Sequence, residues 1–387
     1  MEWYIANKSS TTYDPEFAEL AMAFATAAYD EKCILDSFEN QGFAVTTNKY
    51  SNQYNYLQPA YAIAAKTKEN GDIIVAIVIR GSKSFAGWLT DFRFIPALGD
   101  NRHAGFMLAM ETLMSQLEPI STNGKTKNFI TGHSYGAAVA NLLAAELIDR
   151  GVSQSSVYAY TFATPNVTIA SVSSRNPSGK YNSIFNICNT LDLVPKVPLS
   201  LTSTDTWGKY GNTYSFTKEA SSSSIFASHN SLLYLDFLTQ QRSPDIKGYL
   251  GGTKSESVTS ALFKFYLTGI LCPVDVDIID STGELVAQFI NNEPYYINNA
   301  EETLVLYTIG DEKYIISRAD SNYTLKFTAT DSGSMDYIVQ DFNILSDEVS
   351  VTKSFKNVPL TTGKQMISDV GGTVSASDDR LYVTESP

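Results

Sequence analysis

The sequence predicts an α/β protein with a mostly parallel sheet and flanking helices, continued by an all-β, sandwich-like C-terminal region. Three observations carry that reading. Ile73–Ile79 is an almost continuous apolar run, the pattern of a strand buried on both faces. Helix-like and strand-like segments alternate around it as far as about residue 240, which implies a parallel sheet covered by helices on both sides. Beyond about residue 265 the pattern changes to short period-2 or β-branched stretches divided by turn signals.

Asp14-Pro15-Glu16 is a helix-start signature, and Phe17, Leu20, Ala21, Phe24, Ala27 and Ala28 follow at helical spacing, predicting a helix over 14–32. Ala60–Lys66 and Ile73–Ile79 are two strands separated by the turn-like Glu69-Asn70-Gly71-Asp72. A helix at about 103–118, a strand at 127–131, a helix at 136–150, strands at 157–163 and 183–188 and a helix beginning near Asn230 complete the first region. Gly248–Glu256 is the expected boundary, and Val258–Leu267 is a candidate helix packing on the first domain. Then come strands at Val274–Ile279, Glu284–Ile290, Leu304–Tyr307, Lys313–Ser317, Tyr323–Ala329 and Met335–Phe342, an all-β sandwich pattern. The expected division is therefore 1–255, a connecting segment 256–272, and 273–387.

Composition narrows the function. The 387 residues suffice for two or three domains, and 43% apolar content supplies a large core. With 41 acidic and 28 basic residues the net charge is −13, a sign that repels phosphate backbones, so nucleic acid is not an expected partner. Residues 266–387 hold 19 of the acids and 7 of the bases, so the acidity is concentrated in the C-terminal third. Cys33, Cys188 and Cys272 are far apart and only three histidines exist, so no metal and no organic cofactor is expected. Asp275, Asp277 and Asp280 invite a calcium reading, but they lack a loop template and solvated edge charges account for them better. No apolar run reaches the about 18 residues of a membrane span. The opening MEWYIANKSS lacks a signal-peptide pattern, and a secreted or cell-surface bacterial protein without its signal is the expectation, with a cytoplasmic one as alternative.

The chemistry starts at Gly132-His133-Ser134-Tyr135-Gly136, between the strand Asn128–Thr131 and the helix-forming Ala137–Leu143. Gly-x-Ser-x-Gly at a strand-to-helix turn is a nucleophile elbow: glycines allow close backbone approach, and the strained serine projects its hydroxyl from the sheet. The helix N-terminus beyond it offers amide donors and a positive dipole end to a developing oxyanion. A serine hydroxyl needs a base and a carboxylate to orient that base. His133 lies inside the elbow and would point away from Ser134, and His103 precedes a helix start upstream, which leaves His229, in a loop just ahead of an amphipathic helix. Asp192 is the only acid between Gly151 and Thr204 and follows the apolar strand ending near Cys188, where such sheets put functional groups. Asp205 and Glu219 are its competitors.

These residues resemble the class 3 lipases, the fungal-lipase-like branch of the α/β-hydrolases, across roughly residues 15–245. The resemblance rests on Val78-Ile79-Arg80-Gly81-Ser82 with Trp88-Leu89-Thr90-Asp91, His103-Ala104-Gly105-Phe106, Gly132–Gly136, Thr161-Phe162-Ala163-Thr164-Pro165, Asn189–Pro198 and His229. It implies a Ser134–His229–Asp192 triad and an oxyanion hole formed by the Tyr135 amide with the Ser82 amide and hydroxyl, braced by Asp91. It also implies a lid over Lys83–Ile95 that presents Phe85, Trp88, Leu89 and Phe92 to substrate, with Phe94 and Ile95; ordinary core packing is the alternative for these side chains. Tyr135 and Ala137 depart from the family's usual leucine and glycine, which alters pocket shape and keeps the amide donor. The C-terminal region loosely resembles β-sandwich appendages on surface or secreted bacterial hydrolases. The implied function is carboxylic-ester hydrolysis, lipase or esterase, on acylglycerol-type lipid esters, with a lipid–water interface as one setting. Phospholipase, aromatic-acid or short-chain esterase activity, or a non-catalytic binding protein on a hydrolase scaffold, are the alternatives. Surfaces, glycans and proteins are candidate partners of the C-terminal domain.

Overall fold

The computed structural model describes residues 1–50, 59–82, 100–121, 125–198, 207–220, 226–240, 264–297, 300, 303–309, 311–343, 348–371 and 382–384. The segment 83–99, with Phe85, Trp88, Leu89, Asp91, Phe92, Phe94 and Ile95, lies outside them, as do Asp205 and the expected boundary at 248–256. Two compact units meet in sequence near residue 255.

The N-terminal unit is built on one seven-stranded sheet of β1 (Ala44–Lys49), β2 (Tyr61–Thr67), β3 (Ile73–Ile79), β4 (Thr126–His133), β5 (Val157–Phe162), β6 (Ile184–Asn189) and β7 (Asn212–Phe216), in that spatial order. The first three strands pair antiparallel, and β3 through β7 are parallel. Its helices are α1 (Glu2–Asn7), α2 (Pro15–Ala27), α3 (Glu31–Asn40), α4 (Ala104–Ser121), α5 (Tyr135–Asp149) and α6 (Ser231–Gln240). Asp14 caps α2, its carboxylate accepting the Phe17 amide at 2.9 Å.

On one face of the sheet, Phe17, Ala21 and Phe24 of α2 share a core with Ala76, Phe129 and Tyr160. Each phenylalanine buried there contributes about 1.5–3 kcal/mol. The intervening Ile77, Ile130 and Ala159 are equally buried but lie outside that core, on the side where α5 packs across β3, β4 and β5. Both faces are thus covered, which explains why β3 reads as an unbroken apolar run.

The expected helix over 14–32 stops at Ala27, because the Asp30 carboxylate accepts the Cys33 amide at 2.9 Å and starts α3. Strands β1 and β7 were not expected. Of the candidate helix 258–267, the described part is strand: Lys264–Leu271 is β8, and with Phe265 and Leu267 buried on one face and Thr268 and Ile270 on the other it lacks the alternation that separates strand from helix.

The C-terminal unit holds β8 with β9 (Val274–Asp280), β10 (Leu285–Ile290), β11 (Glu293–Tyr296), β12 (Leu304–Ile309), β13 (Glu312–Arg318), β14 (Tyr323–Ala329), β15 (Gly333–Asn343), β16 (Glu348–Leu360), β17 (Gln365–Val370) and β18 (Tyr382–Thr384). They form two antiparallel sheets, β11-β10-β9-β14-β17-β18 and β12-β13-β8-β15-β16. Val276, Ile278, Leu325 and Phe327 of the first share a core with Leu306, Ile315 and Tyr337 of the second, the packing of a β-sandwich.

His103, just ahead of α4, is wholly buried in the N-terminal unit; its Nδ1 accepts the Phe106 amide at 3.3 Å and its ring packs on Phe106. Burial pushes its pKa down to about 3, so it folds neutral. The unfolded chain binds that proton below about pH 6.5, so stability due to this residue is present above pH 6.5 and is lost as pH falls toward 3. The expected slope from His103 is about 1.4 kcal/mol per pH unit in that window. Urea unfolding of the wild type and His103→Gln at several pH values measures it, and equal slopes in the two proteins would refute it.

Candidate functional site

The site grows out of the junction between β4 and α5. Gly132 ends its part of the strand so close to the first helical turn that a Cβ there would lie 2.5 Å from the Gly136 carbonyl group. A Cβ on Gly136 would collide with the Ile79 carbonyl of β3. Between these glycines Ser134 is forced to φ 60° and ψ −127°, a conformation side-chain-bearing residues rarely adopt. Its own backbone is well satisfied: the amide donates to Phe162 O at 2.9 Å, and its carbonyl accepts from Ala137 and Ala138.

His229 closes a single 3-10 turn, Ala227–His229, immediately before α6. Its Nε2 is 2.8 Å from Ser134 Oγ, and its Nδ1 is 2.8 Å from Asp192 Oδ2. Asp192 stands three residues past the end of β6 and is 1% exposed. A carboxylate buried this deeply needs several donors. Val194 N donates to Oδ1 at 2.9 Å, and the Tyr234 hydroxyl donates to Oδ2 at 2.7 Å. With Asp192 ionised, Nδ1 of His229 carries the proton and donates it to the carboxylate, leaving the Nε2 lone pair facing the serine hydroxyl.

Tyr234 was not singled out in the sequence. It sits on α6, fully buried, and its oxygen also accepts the Asn189 amide at 2.9 Å, tying the helix after His229 to the strand before Asp192. Burial first, and the Asp192 carboxylate next, push its phenol well above the ordinary range, so it stays a donor. The available signal was a tyrosine five residues from His229 on the apolar side of a helix, since a buried phenol needs a partner.

Ser82 lies three residues past β3 and is 9% exposed; Tyr135 is the first residue of α5. Because Ile79 pairs with Gly132 in the parallel β3–β4 ladder, both residues leave the sheet at the same strand ends as Ser134. Glu219 is exposed on the surface. His103 is engaged at the start of α4, its Nδ1 accepting the Phe106 amide. Asp275, Asp277 and Asp280 meet separate partners: Asp275 accepts from Asn291 N, Asp277 from Gln288 and Asp280 from Thr282. Among the described residues no cluster of three or more His, Cys, Asp or Glu could hold a metal, and all three cysteines are free.

Residues 76–202 match the class 3 lipase family, a span that includes Ser82, Ser134, Tyr135 and Asp192 and stops short of His229. The secreted mono- and diacylglycerol lipase A of Penicillium cyclopium is 34% identical over 135 residues, 32% of this chain and 43% of that protein. A lipase of Rhizomucor miehei is 33% identical over 105 residues, 24% of this chain and 29% of its own length. The chain thus spans less than half the length of these relatives. The solved structure of the Rhizomucor miehei triacylglyceride lipase aligns at 22% identity with a TM-score of 0.40, covering 54% of this chain and 82% of that one.

Tyr234→Phe removes one donor to Asp192 and strands the Asn189 amide. Loss of that buried pairing is expected to lower stability by about 1–3 kcal/mol, read as a shift in the urea midpoint at unchanged slope. An unchanged midpoint would show that the phenol oxygen contributes nothing net.

Proposed function

We propose, from the match of residues 76–202 to the class 3 lipase family, that the protein is a serine hydrolase of carboxylic esters, with acylglycerol-type lipids as substrates. The observation that carries the reading is the continuous relay from Ser134 Oγ to His229 at 2.8 Å and from His229 to Asp192 at 2.8 Å. His229 takes the serine proton as the oxygen attacks the ester carbonyl. Asp192 keeps the required tautomer and stabilises the imidazolium. The Tyr135 amide, at the positive end of α5, and the amide and hydroxyl of Ser82 receive the negative charge of the tetrahedral intermediate. The family resemblance also implies a bracing role for Asp91 toward Ser82 and a substrate-facing lid with Phe85, Trp88, Leu89 and Phe92, all of which lie outside the described residues. His229 then returns its proton to the leaving alcohol, and water repeats the sequence on the acyl-enzyme.

The secreted mono- and diacylglycerol lipases among the relatives support acylglycerols over phospholipids or aromatic-acid esters, and support secretion. Residues 1–255 constitute the catalytic domain in this reading, and 273–387 an accessory β domain whose partner is a surface, a glycan or a protein. No helix among the described residues is long and apolar enough to cross a membrane.

Ser134→Ala is expected to lose at least about a hundredfold in kcat on mono- and diacylglycerol emulsions, with the fold unchanged by circular dichroism. A fluorophosphonate probe should label the wild type at Ser134 and leave the variant unlabelled. A folded wild type that neither turns over ester nor takes the probe would favour the binding-scaffold alternative.

A further inference from the structure

Strand β4 delivers two adjacent side chains to the elbow, and the chemistry above uses only the second. His133 points into the interior and is 2% exposed. Its Nδ1 is 2.8 Å from the Tyr29 hydroxyl. Its ring lies against that of His229, with centroids 4.7 Å apart and planes inclined by 34°. Tyr234, the phenol that holds Asp192, meets the same ring edge-on at 5.6 Å. Tyr29 also fills the space beside Gly81: a Cβ on Gly81 would collide with the Tyr29 hydroxyl and come within 2.8 Å of the His133 carbonyl oxygen. The column Tyr29–His133–His229 therefore backs both the turn that carries Ser82 and the proposed base.

We propose that His133 is a positioning residue: a neutral imidazole, anchored by Tyr29, that closes one face of His229 to water and holds its Nε2 on Ser134. The proposal rests on the ester-hydrolase reading above. Each turnover makes His229 an imidazolium, so a partner stacked on it serves only if it carries no like charge. Burial, and secondarily His229 itself, hold His133 well below the ordinary histidine range, with a smaller opposing contribution from the His229 backbone. The groups facing the column are the Tyr29 phenol, kept neutral by burial, Tyr234 on α6, Asp192 behind His229, and Arg80, whose guanidinium lies over Tyr50 and acts on Tyr29. None of them supplies an ionised partner to His133 itself. Replacing the ring by a methyl group would open the buried face of His229 to water, which favours its charged form and frees the ring to turn away from the serine.

The chain has three histidines, so imidazole NMR of the full-length protein can follow each one through a pH titration. The His133 signals should keep their neutral positions down to about pH 5. In His133→Ala the His229 midpoint should rise by about half a pH unit or more. The acid limb of kcat/KM on p-nitrophenyl butyrate should move with it, while kcat falls about tenfold and KM stays within about twofold. His133→Phe, which restores a ring face, should return the midpoint and most of kcat. An ordinary His133 midpoint in the wild type overturns the proposal, as does a folded His133→Ala with an unshifted His229 midpoint. If His133→Ala does not fold, the wild-type titration and His133→Phe still decide. A wild type that titrates as expected yet neither cleaves ester nor takes a fluorophosphonate sinks the hydrolase reading and leaves the histidine pair standing.

Discussion

The N-terminal unit depends on how closely the backbone of α5 approaches β3 and β4. Hydrogen-bonded strands sit about 4.8 Å apart, and a helix laid across them normally stands off by the length of its side chains. Here α5 begins at contact distance, since a Cβ on Gly136 would meet the Ile79 carbonyl and one on Gly132 would meet Gly136. The turn that makes this approach has room for one residue, and that residue, Ser134, takes φ 60°. Strain of this kind costs about 1–3 kcal/mol and survives only where the surroundings overdetermine it. They do so here: Ser134 is pinned by Phe162 O from β5, by two helix amides on its carbonyl, and by a helix whose every residue from Tyr135 to Ala145 is buried.

The same junction fixes what else must be near. A serine raised at the end of β4 can be reached only from neighbouring strand ends, and β6 delivers Asp192 there two strands away. Burying a carboxylate costs more than any single hydrogen bond returns, so its donors are a requirement of the fold as much as of the chemistry. His229, Val194 and Tyr234 supply them from three different segments. The network therefore closes the unit: α6 is tied to β6 through Tyr234, and the turn before α6 is tied to the elbow through His229.

Much of this was legible in the sequence because the glycines, the single acid in a long interval and the scarcity of histidine left few choices. The strands buried on both faces were legible for the same reason, since Ile73–Ile79 has no polar position to confuse its limits. What escaped was decided by partners distant in the chain. Among the described residues β7, Asn212–Phe216, is a polar edge strand paired with β6 alone, and β1 is likewise an edge. β8 was read in part as helix because burial of both its faces, by Phe265 and Leu267 and by Thr268 and Ile270, erased the alternation. The break between α2 and α3 turned on one carboxylate, Asp30, in a run otherwise helical in spacing. Tyr234 looked like any apolar-face aromatic, and its role depends on where its oxygen lies, which spacing along one helix does not reveal.

The three histidines show how far environment, not residue type, sets the chemistry. His103 has one ring nitrogen on a helix amide and an aromatic wall, which keeps it neutral and structural. His133 has a phenol on one nitrogen and another imidazole on its face, and burial keeps it neutral as well. Among the described residues, His229 is the one with a carboxylate on one nitrogen and a hydroxyl on the other, the arrangement in which an acidic partner faces a ring that gains a proton. A buried imidazole without that counter-charge would resist protonation and make a poor base, and one without the hydroxyl would have nothing to deprotonate. The distribution of partners, more than the presence of the ring, separates a general base from two supports.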